Sequence, residues 1–97
     1  MSAPCAVLHA RRRSREEEPH SGPRLAVVAG KRFPNAVARN RARRLLREMT
    51  RSALAGGAAS WDLILVARTE LLESSHPARL AMVLDLLRKA RVLDERP

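Results

Sequence analysis

Between residues 36 and 53 the apolar positions recur at helical spacing. Ala38, Ala42, Leu45, Leu46, Met49 and Ala53 fall within roughly one 100° arc of a helix turning 100° per residue. Pro34 cannot continue a helix from upstream, Asn35 suits an N-cap, and the pair Gly56-Gly57 supplies a stop. A second helical pattern runs over residues 77–91, with Leu80, Val83, Leu84, Leu86, Leu87 and Ala90 on its apolar face. Ser74 or Ser75 would cap it, and Pro77 fits its first turn. Three short apolar runs read as strands: residues 4–10 (PCAVLHA), 25–29 (LAVVA) and 62–67 (DLILVA). Residues 11–23 alternate blocks of charge and predict a flexible charged loop. The predicted order is β-β-α-β-α, an α+β fold with one small open sheet and its helices on one side. At 97 residues the chain forms a single domain over residues 1–97.

Charge sharpens this picture, because the polar arc of the first helix is cationic. Arg39, Arg43, Arg47 and Arg51 stand four residues apart and would form one ridge roughly 18 Å long. Asn40 and Arg44 adjoin it, while Arg41 points elsewhere, near Glu48. The formal net charge is +9; residues 24–51 hold nine Lys and Arg against one Glu, and residues 52–97 balance six against six. One stretch therefore carries almost the whole excess, which predicts a polyanionic partner bound at one place.

Several function classes are set aside on the residues present. No Gly-rich phosphate loop, HExxH or nucleophile elbow occurs, so no catalytic residue is assigned. Asp62, Glu70, Glu73 and Asp85 read as scattered, solvated acids. Cys5 with His9, His20 and His76 lacks metal-ligand spacing, so no metal residue is assigned. A single cysteine allows no intramolecular disulfide and fits a reducing cytosol. No apolar run approaches the ~20 residues of a membrane span, and a cytoplasmic location is expected. The alanine-heavy face lacks the aromatic anchors of a membrane-surface helix. A strand and loop, not a helix, precede it, against helix-turn-helix DNA reading. Six arginines with one acid across residues 39–51 would repel one another unless a partner neutralised them, and RNA is the partner that remains. Trp61 and Phe33 are the only aromatics, so base stacking is scarce. Phe33, beside Lys31 and Arg32, could stack one base, although packing against the helix is the favoured reading.

The stretch LAVVAGKRFPNAVARNRARRLLRE, residues 25–48, closely resembles the signature of the protein subunit of bacterial ribonuclease P. It holds Lys31-Arg32, then Asn35-Ala36-Val37, then Arg39-Asn40-Arg41, and ends with Arg43, Arg44, Arg47 and Glu48. DLILVAR, residues 62–68, is similar to that family's next strand, and the resemblance covers about residues 4–91. It implies a ribonuclease P protein-like fold in which the arginine helix joins two parallel strands by a left-handed crossover, an exception to the usual rule. It implies an RNA-binding subunit of an endoribonuclease, with the chemistry supplied by the catalytic RNA and its Mg²⁺ and no cofactor held by the protein alone. The implied partners are that RNA and precursor tRNA, whose 5′ leader is removed; no membrane or DNA partner is expected. RNA contact is implied for Lys31, Arg32, Arg39, Asn40, Arg41, Arg43, Arg44 and Arg47, with Arg51 on the same ridge and Arg68 at the end of the next strand. Phe33 is a weak candidate for the leader cleft. The competing reading is a non-enzymatic RNA-binding protein, ribosome-associated or degenerate, using the same helix. Members of the family begin with an α-helix that carries an aromatic; only three residues precede the first strand here, so that helix is expected to be missing. Pro34 stands where the family has Gly, and since Pro fixes φ near about −65° the turn must differ.

Overall fold

The computed structural model describes residues 1–14, 23–55, 57 and 60–92. Its elements are β1 (Ser2–Ala3), β2 (Ala6–Arg12), β3 (Arg24–Ala29), α1 (Ala36–Leu54), β4 (Trp61–Ala67), α2 (Glu70–Glu73) and α3 (His76–Lys89). The strands form one sheet in the order β1-β2-β4-β3, with β2 antiparallel and β3 parallel to β4. The observed order adds two elements to the predicted one. Both β1 and α2 are too short, at two and four residues, to leave a periodic signal.

Strand pairing explains which face is covered. Leu8, Leu65 and Val27 lie in one row, and Ala6, Ala67 and Ala29 in another. These rows share the face on which α1 packs against β3 and β4, and α3 against β1, β2 and α1. Leu46, Leu63, Leu65, Val83, Leu86 and Leu87 are essentially inaccessible there, each burial stabilising the fold by about 1.5–3 kcal/mol. Because side chains alternate across a strand, the rows between them face away. These are Val7-Val66-Val28 and His9-Ile64-Ala26, and Val28 and Ile64 remain 45% and 47% exposed. The sheet thus has one helical layer and one open face.

Helix α1 begins where the sequence predicts. Asn35 is extended, with φ −160°, and its side-chain oxygen accepts from the Ala38 N–H at 2.8 Å. The end differs: the left-handed residue is Ala55, with φ 49°, one before the predicted glycine pair, of which Gly56 lies outside the described residues. Two buried positions were not on the predicted arc. Leu54 closes the apolar stripe, and Thr50 is wholly covered because its hydroxyl donates to the Leu46 carbonyl at 2.7 Å, removing its need for water. Helix α3 is capped by Ser75, which accepts from the Ala78 N–H at 3.3 Å. No helix among the described residues is long and apolar enough to cross a membrane.

The predicted charged loop starts later than expected. Arg11 and Arg12 belong to β2, Arg13 is buried, and residues 15–22 lie outside the described residues. Asp62 is the reason, and it is not a solvated acid. Its carboxylate accepts from Arg24 Nε at 2.8 Å and Nη2 at 3.1 Å, from Arg11 Nη2 at 2.9 Å and from Arg13 Nη1 at 2.9 Å. One acid therefore ties together β2, β3 and β4 at one end of the sheet. The Arg24 hydrogen bonds, then those of Arg11 and Arg13, hold the carboxyl far below its usual range. A depressed carboxyl adds stability that is whole above its ordinary value, about 4, and is withdrawn as pH falls below it. Urea titrations of the free protein from neutral pH to about pH 2 should show wild type losing stability more steeply than Asp62→Asn at the acid end. Parallel profiles would refute this role.

Candidate nucleic-acid interface

The candidate interface lies at the opposite end of the sheet. Because β3 and β4 run parallel, their C-terminal ends lie side by side, and the segments that follow them converge. One is the turn of residues 30–33 leading into α1; the other is residues 68–70 leading into α2. Between them lies a cavity of about 590 Å³ lined by Lys31, Arg32, Phe33, Val66, Arg68 and Glu70, among others. The Arg68 N–H donates to the Cys5 carbonyl at 2.9 Å, which anchors that rim to the start of β2. Cys5 itself is covered, and burial pushes its thiol up, so it offers no reactive thiolate.

Helix α1 carries the cations away from this rim. Arg41, Arg44, Arg47 and Arg51 are exposed, and Arg39 and Arg43 are half-buried against the same helix face. Asn40 is exposed, and its side-chain oxygen accepts from Arg43 Nη2, so it orients one guanidinium of the ridge. Among the described residues no α1 arginine joins an ion pair. Nor does a carboxylate offset the positive helix start, since no acid lies in the first turn. Stability alone disfavours such an arrangement, whereas fork-shaped donors without a carboxylate partner suit phosphate oxygens.

The structure thus gathers Lys31, Arg32 and Arg68 at one cavity, and the turn that carries Lys31 and Arg32 leads into the arginine-rich α1. Arg51 lies at the far end of the helix. Phe33 is only 5% exposed; its ring is mostly core and gives the cavity an edge. Gly30, Val66, Ala67 and Thr69 line the cavity without having been singled out from the sequence, and Glu70 was read only as a solvated acid. A parallel β3-α1-β4 unit was the signal that could have found them, because it requires the two post-strand segments to meet. The Thr69 hydroxyl donates to Glu70 Oε1 at 3.0 Å. The backbone N–H of Glu70 and that hydroxyl, followed by the nearby Arg68 and Arg32 charges, hold the Glu70 carboxyl below its ordinary range. Among the described residues no three His, Cys, Asp or Glu side chains gather as a metal-binding group, and Asp62 is occupied by three arginines.

One sheet with helices on one face, an arginine helix without ion pairs among the described residues and a cationic cavity together define a small α+β protein with a candidate polyanion-binding surface. Comparison with known proteins makes this specific: the family profile described as Ribonuclease P matches residues 1–91, and the chain belongs to that family. The Ribonuclease P protein component of Roseiflexus castenholzii is 38% identical over 71 residues, covering 72% of this chain and 58% of the relative. That of Chloroflexus aggregans is 37% identical over 73 residues, covering 74% of this chain and 54% of the relative. The chain thus spans little more than half the length of these curated relatives. In fold it is similar to the Staphylococcus aureus RNase P protein, with a TM-score of 0.76 at 21% identity over 97% of this chain and 82% of that one. The Thermotoga maritima RNase P protein gives a TM-score of 0.74 at 22% identity over 92% and 80%.

Proposed function

We propose that this chain is an RNA-binding subunit of ribonuclease P, assisting a catalytic RNA in endonucleolytic removal of the 5′ leader from precursor tRNA in the cytoplasm. The observation that supports it is α1: six arginines without ion pairs among the described residues, on the helix that follows the Lys31 and Arg32 rim of the cavity. In this reading Arg39, Arg41, Arg43, Arg44, Arg47 and Arg51 clamp phosphates of the catalytic RNA, and Asn40 orients Arg43. Lys31, Arg32 and Arg68 hold the single-stranded leader, which continues over the open sheet face.

The donor set does not suit a divalent cation held by the protein, since hard cations need several converging oxygens. Mg²⁺ is assigned to phosphates of the RNA, and with it the hydrolytic chemistry. The protein contributes position and charge: it pays down phosphate repulsion where two RNA chains must approach. Reconstitution with a bacterial ribonuclease P RNA at low Mg²⁺ should accelerate cleavage of precursor tRNA at the mature 5′ end. Binding of the RNA without any acceleration would overturn the subunit reading and leave a non-enzymatic RNA binder.

A further inference from the structure

The cavity between the two post-strand segments contains a group that phosphate binding does not use. A volume of about 590 Å³ lies within the usual range for small-molecule sites and is large enough for one nucleotide. Lys31, Arg32 and Arg68 suit its phosphate. Glu70 does not, because a carboxylate facing a phosphate oxygen brings two like charges together. The acid is nonetheless held in place: Thr69 donates to Oε1, and Glu70 is the first residue of the short helix α2 and the one that lines the cavity. Arg32 and Arg68 are near enough to act on it electrostatically. Yet among the described residues neither forms an ion pair with it. Glu70 is exposed and lines the cavity, so its carboxylate is available there to a donor from the ligand.

An RNA nucleotide offers donors on its sugar 2′-hydroxyl and on the free Watson–Crick edge of an unpaired base. The four edges differ in what they show a carboxylate. Guanine presents two adjacent donors, N1–H and N2–H, that match two carboxylate oxygens. Adenine and cytosine each present one amino donor beside a ring nitrogen acceptor, which repels the second oxygen. Uracil presents one N–H between two carbonyls.

We infer that Glu70 is a specificity-determining residue: the cavity holds one single-stranded nucleotide, with its phosphate on Arg68 and Lys31 and its base read by the Glu70 carboxylate, which selects guanine. This deepens the RNA-binding reading above and rests on it. The mouth of the site is open at Gly30, where an added Cβ would meet nothing within 4 Å, so a larger residue can be placed there without a clash at its Cβ.

The test is fluorescence anisotropy of the full chain with labelled RNA pentamers UUGUU, UUAUU, UUCUU and UUUUU at low salt. UUGUU should bind about fivefold or more tighter than the other three, the lower end of what a bidentate base contact discriminates. Glu70→Gln, which replaces one acceptor oxygen by a donor, should erase that preference while UUUUU binding holds or tightens. Gly30→Leu should weaken all four by filling the cavity, with unchanged thermal unfolding. Equal binding of the four pentamers by the wild type overturns the inference and leaves the RNA-binding reading standing. An equal loss for all four pentamers in Glu70→Gln also overturns it, because that is what a merely structural acid would give. If no pentamer binds, and ribonuclease P RNA is not bound either, the reading on which the inference rests has failed as well.

Discussion

Replacing Arg39, Arg43 and Arg47 together by Gln should lower the affinity for ribonuclease P RNA by about three orders of magnitude or more at roughly 0.1 M salt, each lost charged hydrogen bond being worth about 1.5–3 kcal/mol. The salt dependence is the sharper readout. Each phosphate neutralised on a duplex contributes about 0.9 to the slope of log affinity against log salt, so three lost contacts should flatten it by about 2.7. Stability should move the other way. Gln and Arg have nearly equal helix propensity, and removing three of six arginines from one helix relieves repulsion between neighbours one turn apart. The triple variant should therefore unfold at the same temperature as wild type or slightly higher. A helix kept cationic against its own stability is a helix kept for a ligand. Arg88→Gln, on the exposed side of α3, serves as the control and should leave the slope in place. If the triple variant keeps the wild-type slope, the ridge faces solvent in the complex and the phosphate contacts lie elsewhere.

How much of this was legible in the sequence depends on how far each residue's partner lies along the chain. Helix α1 could be read because its period, its Asn35 cap and its charge are all local, and Ala42, Leu46 and Met49 are buried as the arc predicts. The strands could be read as apolar runs, with ends that moved by one or two residues. Arg13 could not: in sequence it is one arginine in a charged tract, and its burial follows from Asp62, forty-nine residues on. The reading of Asp62 as a solvated acid failed for the same reason, since its three arginines come from the end of β2 and the start of β3. The cavity is intermediate. Lys31, Arg32 and Arg68 were singled out through the family resemblance, but Thr69 and Glu70 matter only once parallel pairing sets them opposite the turn of residues 30–33. Charge patterning thus marked the helical half of the candidate interface, and topology was needed for the half built from loops.

Arg79 shows the same dependence on distant partners and leads to the largest expected loss of stability. On the helical wheel of α3 it reads as a polar position, yet it is only 9% exposed. Its Nε donates to the Leu71 carbonyl at 2.6 Å and its Nη2 to the Leu72 carbonyl at 3.2 Å. These belong to the end of α2, where helix carbonyls lack internal partners. Helix α2 has four residues and no side-chain N-cap, too little to persist by itself. It is held by the buried Leu71 side chain and by this guanidinium, whose planar fork reaches two acceptors at once. Arg79→Met keeps the apolar stem but removes both donors, and should destabilise the protein by about 2–4 kcal/mol, against a total of about 5–15 for a domain of this size. Arg79→Lys, with a single donor point, should fall between. The loss should be local before it is global. In hydrogen exchange the Leu71 and Leu72 amides, which donate to the Arg68 and Thr69 carbonyls at 3.0 and 3.1 Å, should open at a lower cost than the amides of α1. Glu70, the first residue of α2, lines the proposed nucleotide cavity, so pentamer binding should weaken while the salt-dependent affinity for ribonuclease P RNA proposed for α1 persists. Uniform loss of protection across α1 and α2 would show instead that Arg79 supports the whole core and has no particular part in shaping the cavity.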